Sequence, residues 1–306
     1  MTLLRLANAE EARALLAAED DFTRALGGFD RSFRMRTIEP VSDAELRRFL
    51  GEQALDFASE EGKAWEEAMA AVARAARGIG ALLPAEVLVV KTTGREERNH
   101  AYTRANAIFL PAARVERLRG ERAVYLLAHE LFHVASRASL ALRDTTYRLL
   151  GFTPIAPIAP IAPPLELDSR RMTNPDAFSL AHFLRLGERA VMPLLTCPTP
   201  LAEVLERTSV LDSVQVTLLE IDPSAGAVVR DAEGAPVLLE ASATDWSRRI
   251  GRNSTYTIHP EEVLADNFAL LVRRRLGGEA TVADTDFLGL FEDAVRACIE
   301  PHADGG

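Results

Sequence analysis

Cysteine is nearly missing from the chain. Cys197 and Cys298 are the two thiols among 306 residues, and neither has a second cysteine close by. Such usage excludes a cysteine-clustered zinc finger and a disulfide framework, leaving two structural thiols or at most one bridge. Positive charge is also short, with 35 Lys and Arg against 45 Asp and Glu and a net charge of -10. A nucleic-acid partner is therefore not expected, because phosphate binding needs a basic face. No apolar run approaches the roughly 20 residues of a membrane span, so no membrane partner is expected either. The opening stretch "MTLLRLANAEEARALL" carries acids where a secretory leader needs an uninterrupted apolar core, and the expected location is cytoplasmic. What remains, 48% hydrophobic and 26% charged, is the balance of an ordinary globular protein.

Periodicity predicts a helical first lobe. Residues 8–26 read as a helix stopped by Gly27-Gly28, and Ser42 with Glu45 has the spacing of a capping box. "GKAWEEAMAAVARAARG" reads as a longer helix ending near Gly78. The pattern then turns to strand: 86–93 and 100–111 are β-rich and suggest a hairpin. Helices follow over 112–118, about 121–137 and about 139–150. "TPIAPIAPIAPP" (153–164) forbids helix and interrupts sheet ladders, so a stiff polyproline connector on the surface is expected. Residues 174–190 read as a helix carrying His182, and 214–241 as a small antiparallel meander. Two helices close the chain, one ending at Gly277-Gly278 and one over 284–300.

The stretch "LLAHELFHVAS" (126–136) stands apart, because it sets two of the chain's six histidines in an apolar helix. His129-Glu130-Leu131-Phe132-His133 is an HExxH pattern. Positions i and i+4 share a helix face, so both imidazoles can reach one ion. Glu130 is turned about 100° from His129, a placement suited to a base acting on a water held there. Burying these groups without compensation would be costly, and a bound cation removes that cost.

A catalytic zinc usually takes three protein ligands. The best source of the third is "HPEEVLADNFALL" (259–271), where Pro260 suits the first helical position and Glu262 and Asp266 share a face. Glu262 is the preferred ligand, with Glu261, Asp266 and His259 as alternatives. Asp266 can instead hold the far nitrogen of a ligating histidine. Acids in a first helical turn are favoured by the macrodipole whatever their function. His100, His182 and His302 read as structural.

HExxH followed by Glu262-x-x-x-Asp266 resembles the gluzincin zinc metallopeptidases, the group that includes thermolysin. The resemblance implies one zinc ion held by His129, His133 and Glu262, with Glu130 as catalytic base and Asp266 supporting a histidine. It also implies peptide or protein substrates. The implied fold is α+β, a predominantly helical zincin-like fold with a small β-sheet beside the active-site helix. Thermolysin-like members keep the two motifs much closer together, so an insertion holding the proline repeat and the meander is expected between them. A single catalytic domain over 1–306 follows. Its parts are the helical lobe 1–80, the strands and metal helix 81–150, the insertion 151–250 and the third-ligand region 251–306. The family's late transition-state histidine has no counterpart here, and Tyr256 and His259 are the candidate substitutes. The strand 101–110, entering just before the metal helix, is the candidate for pairing with extended substrate. The competing function is a non-catalytic, metal-stabilised binding or regulatory protein on a peptidase scaffold.

Overall fold

The chain opens with a strand, not a helix. The computed structural model describes residues 3–76, 78–155, 160–206, 213–278 and 282–299. Leu3–Leu6 (β1) lies in a sheet, so the first lobe is not purely helical. Four short helices follow: Ala9–Ala17 (α1), Asp21–Ala25 (α2), Gly28–Met35 (α3) and Asp43–Gly51 (α4). The helix expected over 8–26 is broken because Asp20 caps a new one, accepting from the Thr23 N–H. Arg104 stabilises the break by pairing with Asp20 at 2.8 Å and donating to the freed carbonyls of Leu16 and Ala18. The Ser42–Glu45 capping box forms as its spacing predicts. Ala54–Leu55 (β2) and the long helix Ser59–Ala75 (α5) complete this part.

Glu86–Thr92 (β3), Tyr102–Arg104 (β4) and Ala107–Pro111 (β5) build the centre of the first sheet, in the order β1-β3-β5-β4 with β2 also on β3. The expected hairpin between 86–93 and 100–111 does not form. β3 pairs with β5 in parallel, while β4 and β5 make a tight hairpin across Ala105 and Asn106. Asn106 locks that arrangement, since its side chain donates to the Glu86 carbonyl. Central strands buried on both faces are what parallel pairing requires. β4 is left as the antiparallel edge. After Ala112–Arg117 (α6) comes Glu121–Ala138 (α7), the helix bearing HExxH, and then Leu140–Leu149 (α8).

Strands between Phe152 and Glu240 form a second, antiparallel sheet larger than the expected meander. It comprises Phe152–Pro154 (β6), Arg171–Met172 (β7), His182–Leu186 (β8) and Arg189–Thr196 (β9), then, after helix Leu201–Glu206 (α9), Gln215–Asp222 (β10), Ala227–Val228 (β11) and Leu238–Glu240 (β12). The helix expected over 174–190 is replaced by the β8–β9 hairpin, turned at Gly187 with φ 59°. His182 thus sits on a strand, 2.8 Å from Asp144. The proline repeat is anchored more deeply than a surface connector. Ile155 and Ile161 are buried and donate to Ala181 and Leu180, while 156–159 lie outside the described residues.

Trp246–Ile250 (α10), Pro260–Arg275 (α11) and Thr285–Ile299 (α12) close the fold. The largest apolar cluster unites α5, α7, α11 and α12 with β3 and β5. Phe132 of α7 stands at its centre, 5.9 Å from Phe268 on α11 and 5.8 Å from Phe291 on α12, ring to ring. The two thiols lie apart, Cys197 packed with Phe29 and Phe33 and Cys298 against the main cluster. Among the described residues, no helix is long and apolar enough to cross a membrane. Phe132→Ala should cost about 3–5 kcal/mol of unfolding free energy. Chemical denaturation measures it, and a loss below about 1 kcal/mol would contradict this account of the core.

Candidate metal centre

α7 and α11 pack side by side because each buries a continuous apolar face. That packing brings His129, His133 and Glu262 together, with one ligand atom from each lying within 4.8 Å of the others. Glu262 Oε2 is 3.2 Å from His129 Nε2 and 3.6 Å from His133 Nε2. The outer nitrogens are held as well. His129 Nδ1 meets Asp266 at 3.0 Å, and His133 Nδ1 meets Glu261 at 3.1 Å. Glu261 also accepts from Ser136 and Tyr147, and Asp266 from Tyr125 and Ser254. Each imidazole is therefore clamped from behind by a carboxylate that is itself fixed, an arrangement that directs Nε2 inward.

The inward nitrogens face a carboxylate oxygen and each other, with ring centroids 4.8 Å apart. They must carry either protons or a cation. Burial opposes a charged His129, but the hydrogen bonds to Asp266 and Glu262 carry its pKa up to about 10. His133 is likewise opposed by burial, yet Asp176, Glu262 and Glu261 raise it well above its ordinary value. Burial would raise Glu262, and the two imidazoles instead hold it well below the usual carboxylate range. One divalent ion can replace both imidazole protons and meet three ligands at once, so the residues fit such an ion.

Glu130 is buried beside the triad, and its Oε2 has no hydrogen-bond partner among the described residues. Burial pushes its pKa up, and Asp176 adds to the effect. Both site helices line a cleft of about 930 Å³. Tyr256 lines that cleft, and burial with the nearby Glu262 charge keeps its phenol protonated. His259 does not line it. The imidazole caps α11 by accepting from the Glu261 N–H at 3.2 Å, and it borders a separate cavity of about 230 Å³ with Tyr147 and His182. Burial lowers its pKa to about 4, consistent with a neutral cap. His100 lines the cleft mouth with Nδ1 3.1 Å from the Glu97 carbonyl, and His302 lies outside the described residues.

Spacing gave no hint of two further groups. Asn174 donates to Glu262 Oε1 at 2.7 Å. Asp176 sits against Glu130 and His133 and accepts from the Thr103 N–H at 2.8 Å. Both come from the connection between β7 and β8, far from either helix in sequence. Compared with known proteins, the chain matches no family model, no curated protein and no solved structure. The arrangement must therefore be read from its own chemistry.

Because the carboxylates around them carry the His129 pKa up to about 10 and raise His133 well above its ordinary value, both imidazoles hold a proton at pH 7 that an entering ion must displace. Titrating zinc calorimetrically in buffers of different ionisation heat should show release of about two protons per ion, with affinity falling as pH falls. Uptake without proton release would contradict the geometry.

Proposed function

We propose that the protein is a zinc-dependent peptidase of the gluzincin type, with His129, His133 and Glu262 as the zinc ligands. The observation that carries this reading is the convergence of two inward-facing imidazole nitrogens on Glu262, with Glu130 buried and unpaired beside them in a large cleft. Zinc, when bound, supplies a Lewis acid that acidifies water and polarises a carbonyl.

The chain's own residues do the rest. Asp266 and Glu261 keep the imidazoles in the tautomer protonated at Nδ1, and Asn174 steadies Glu262. Glu130 takes a proton from the attacking water and returns it to the leaving amine nitrogen. Its burial suits both steps, since a carboxyl pushed up toward neutrality exchanges a proton readily near pH 7. Tyr256, held neutral, is the donor for the oxyanion that forms on the attacked carbonyl. His259, fixed as a helix cap, leaves that role to Tyr256.

The edge strand β4 supports recognition of extended peptide, with a restriction. Thr103 has its N–H committed to Asp176, and its carbonyl accepts from Arg137 at 3.3 Å. Pairing is left to the backbone of Ala101, which lines the cleft.

Glu130→Gln should retain one zinc per chain and lower kcat for peptide hydrolysis by roughly 10³-fold. Metal analysis and turnover of a peptide library measure the two effects. Hydrolysis that persists unchanged in this variant would refute the mechanism. A zinc-loaded wild-type protein that binds peptides but never cleaves them would favour the binding-protein alternative.

A further inference from the structure

Acids surround the imidazoles in the cleft, yet its lining also includes Arg98, Arg114, Arg122 and Arg273. Arg273 pairs with Glu121 at 3.3 Å, and Arg114 donates to the Asn99 carbonyl. Arg98 differs. Among the described residues it has no hydrogen bond and no ion pair, and its Nε and Nη2 atoms are buried. Its guanidinium lies 4.8 Å from the centre of the Phe33 ring, which orients the cation without neutralising it. Burial and the neighbouring Arg36 charge both act against its cationic form. Two buried N–H donors without an acceptor leave this half-buried guanidinium open to an anion.

The backbone beneath Arg98 is built to hold it there. Arg98 and Asn99 are consecutive non-glycine residues in the left-handed region, with φ 53° and 63°. Such strain persists only where the surroundings enforce it. Here Asn99 donates to the Gly94 carbonyl at 2.8 Å and His100 to the Glu97 carbonyl at 3.0 Å. Glu97 is gripped by Arg34 through two bonds of 2.6 and 3.1 Å, and Arg34 is anchored in turn by Asp30. Gly94 cannot be replaced, because a Cβ there would stand 2.5 Å from Asn99 Oδ1 and 2.8 Å from Pro111. The loop is rigid before any ligand arrives, so little ordering would be lost on binding.

We infer that Arg98 is the anion-recognition residue of the cleft and that it pairs with a carboxylate of the bound peptide. The inference rests on the peptidase reading and adds a substrate class to it: peptides bearing either an acidic side chain or a free α-carboxylate within reach of this loop. A planar guanidinium suits a carboxylate because two of its N–H groups can meet both oxygens.

The test uses zinc-loaded Glu130→Gln protein, which holds peptide without cleaving it, and reads binding by calorimetry. Three peptides share a free amino terminus and one apolar sequence. The first keeps its carboxyl terminus, the second is amidated and carries one internal glutamate, and the third is amidated without an acid. At least one of the first two should bind roughly 10- to 100-fold more tightly than the third. Preference for the first assigns an α-carboxylate, and preference for the second a side chain. Adding Arg98→Met should reduce the favoured peptide to the affinity of the third, with zinc content and the third peptide's affinity unchanged. Adding Arg98→Lys instead should keep part of the preference, which a purely structural arginine would not predict. Equal binding of all three peptides, or a preference that survives Arg98→Met, overturns the role of Arg98 alone. Zinc-loaded protein that binds none of them overturns the peptidase reading, and this inference with it.

Discussion

The organisation of the site depends on one contact, the carboxylate of Glu262 placed between the Nε2 atoms of His129 and His133. Three groups that attract cations, buried at the seam of two helices, cannot be left to water. In the metal-free chain the imidazoles meet that demand by holding protons, at the cost of two neighbouring positive charges. A divalent ion satisfies all three with one charge centre. The carboxylates of Asp266 and Glu261 belong to the same logic. They fix the imidazoles from behind and help balance the positive charge within a low-dielectric interior.

Apolar packing sets that contact up. α7 and α11 meet through Phe132, Leu131, Phe268 and their buried neighbours, and His129, Glu130, His133, Glu262 and Asp266 line the cleft beside this seam. Glu261 lies off the cleft, behind His133 with Ser136 and Tyr147, and the helices need not be close in sequence because the core aligns them. The long stretch between them is no remote appendage. Its second sheet carries the Asn174–Asp176 connection into the site, where it touches Glu262 at one end and the edge strand at the other. Arg137 ties the same connection to Thr103 by contacting the Pro175 carbonyl. Glu262 and the sheet edge are thereby tied together through this connection.

Both signs of charge line the cleft. Glu130, Asp176, Glu262 and Asp266 gather around the imidazoles, while Arg98, Arg114, Arg122 and Arg273 line the cleft as well. In a chain of net charge -10 this group of arginines runs against the overall balance. The strained loop carrying Arg98 is braced from the α3 side by Arg34.

The sequence by itself determined what local rules govern. Ser42 and Glu45 cap α4 because a capping box is complete within four residues. α7 and α11 begin and end close to where periodicity, Pro260 and Gly277 place them. The grouping of His129 with His133 follows from helical spacing, and the choice of Glu262 and Asp266 from a second helix face. Only tertiary structure decided the rest. A short β-rich run does not encode whether its partner is parallel, so the β3–β5 pairing depended on long-range burial and on Asn106. "AHFLRLGERAV" fits a helix as well as a hairpin until the second sheet offers it edges. His259 turned away from the cleft because a helix N-terminus needed its lone pair, and Asn174, Asp176 and Arg98 reached the cleft through loops whose course no periodicity records. A residue's own spacing fixes which neighbours share its face, whereas burial of the whole chain fixes which distant faces meet.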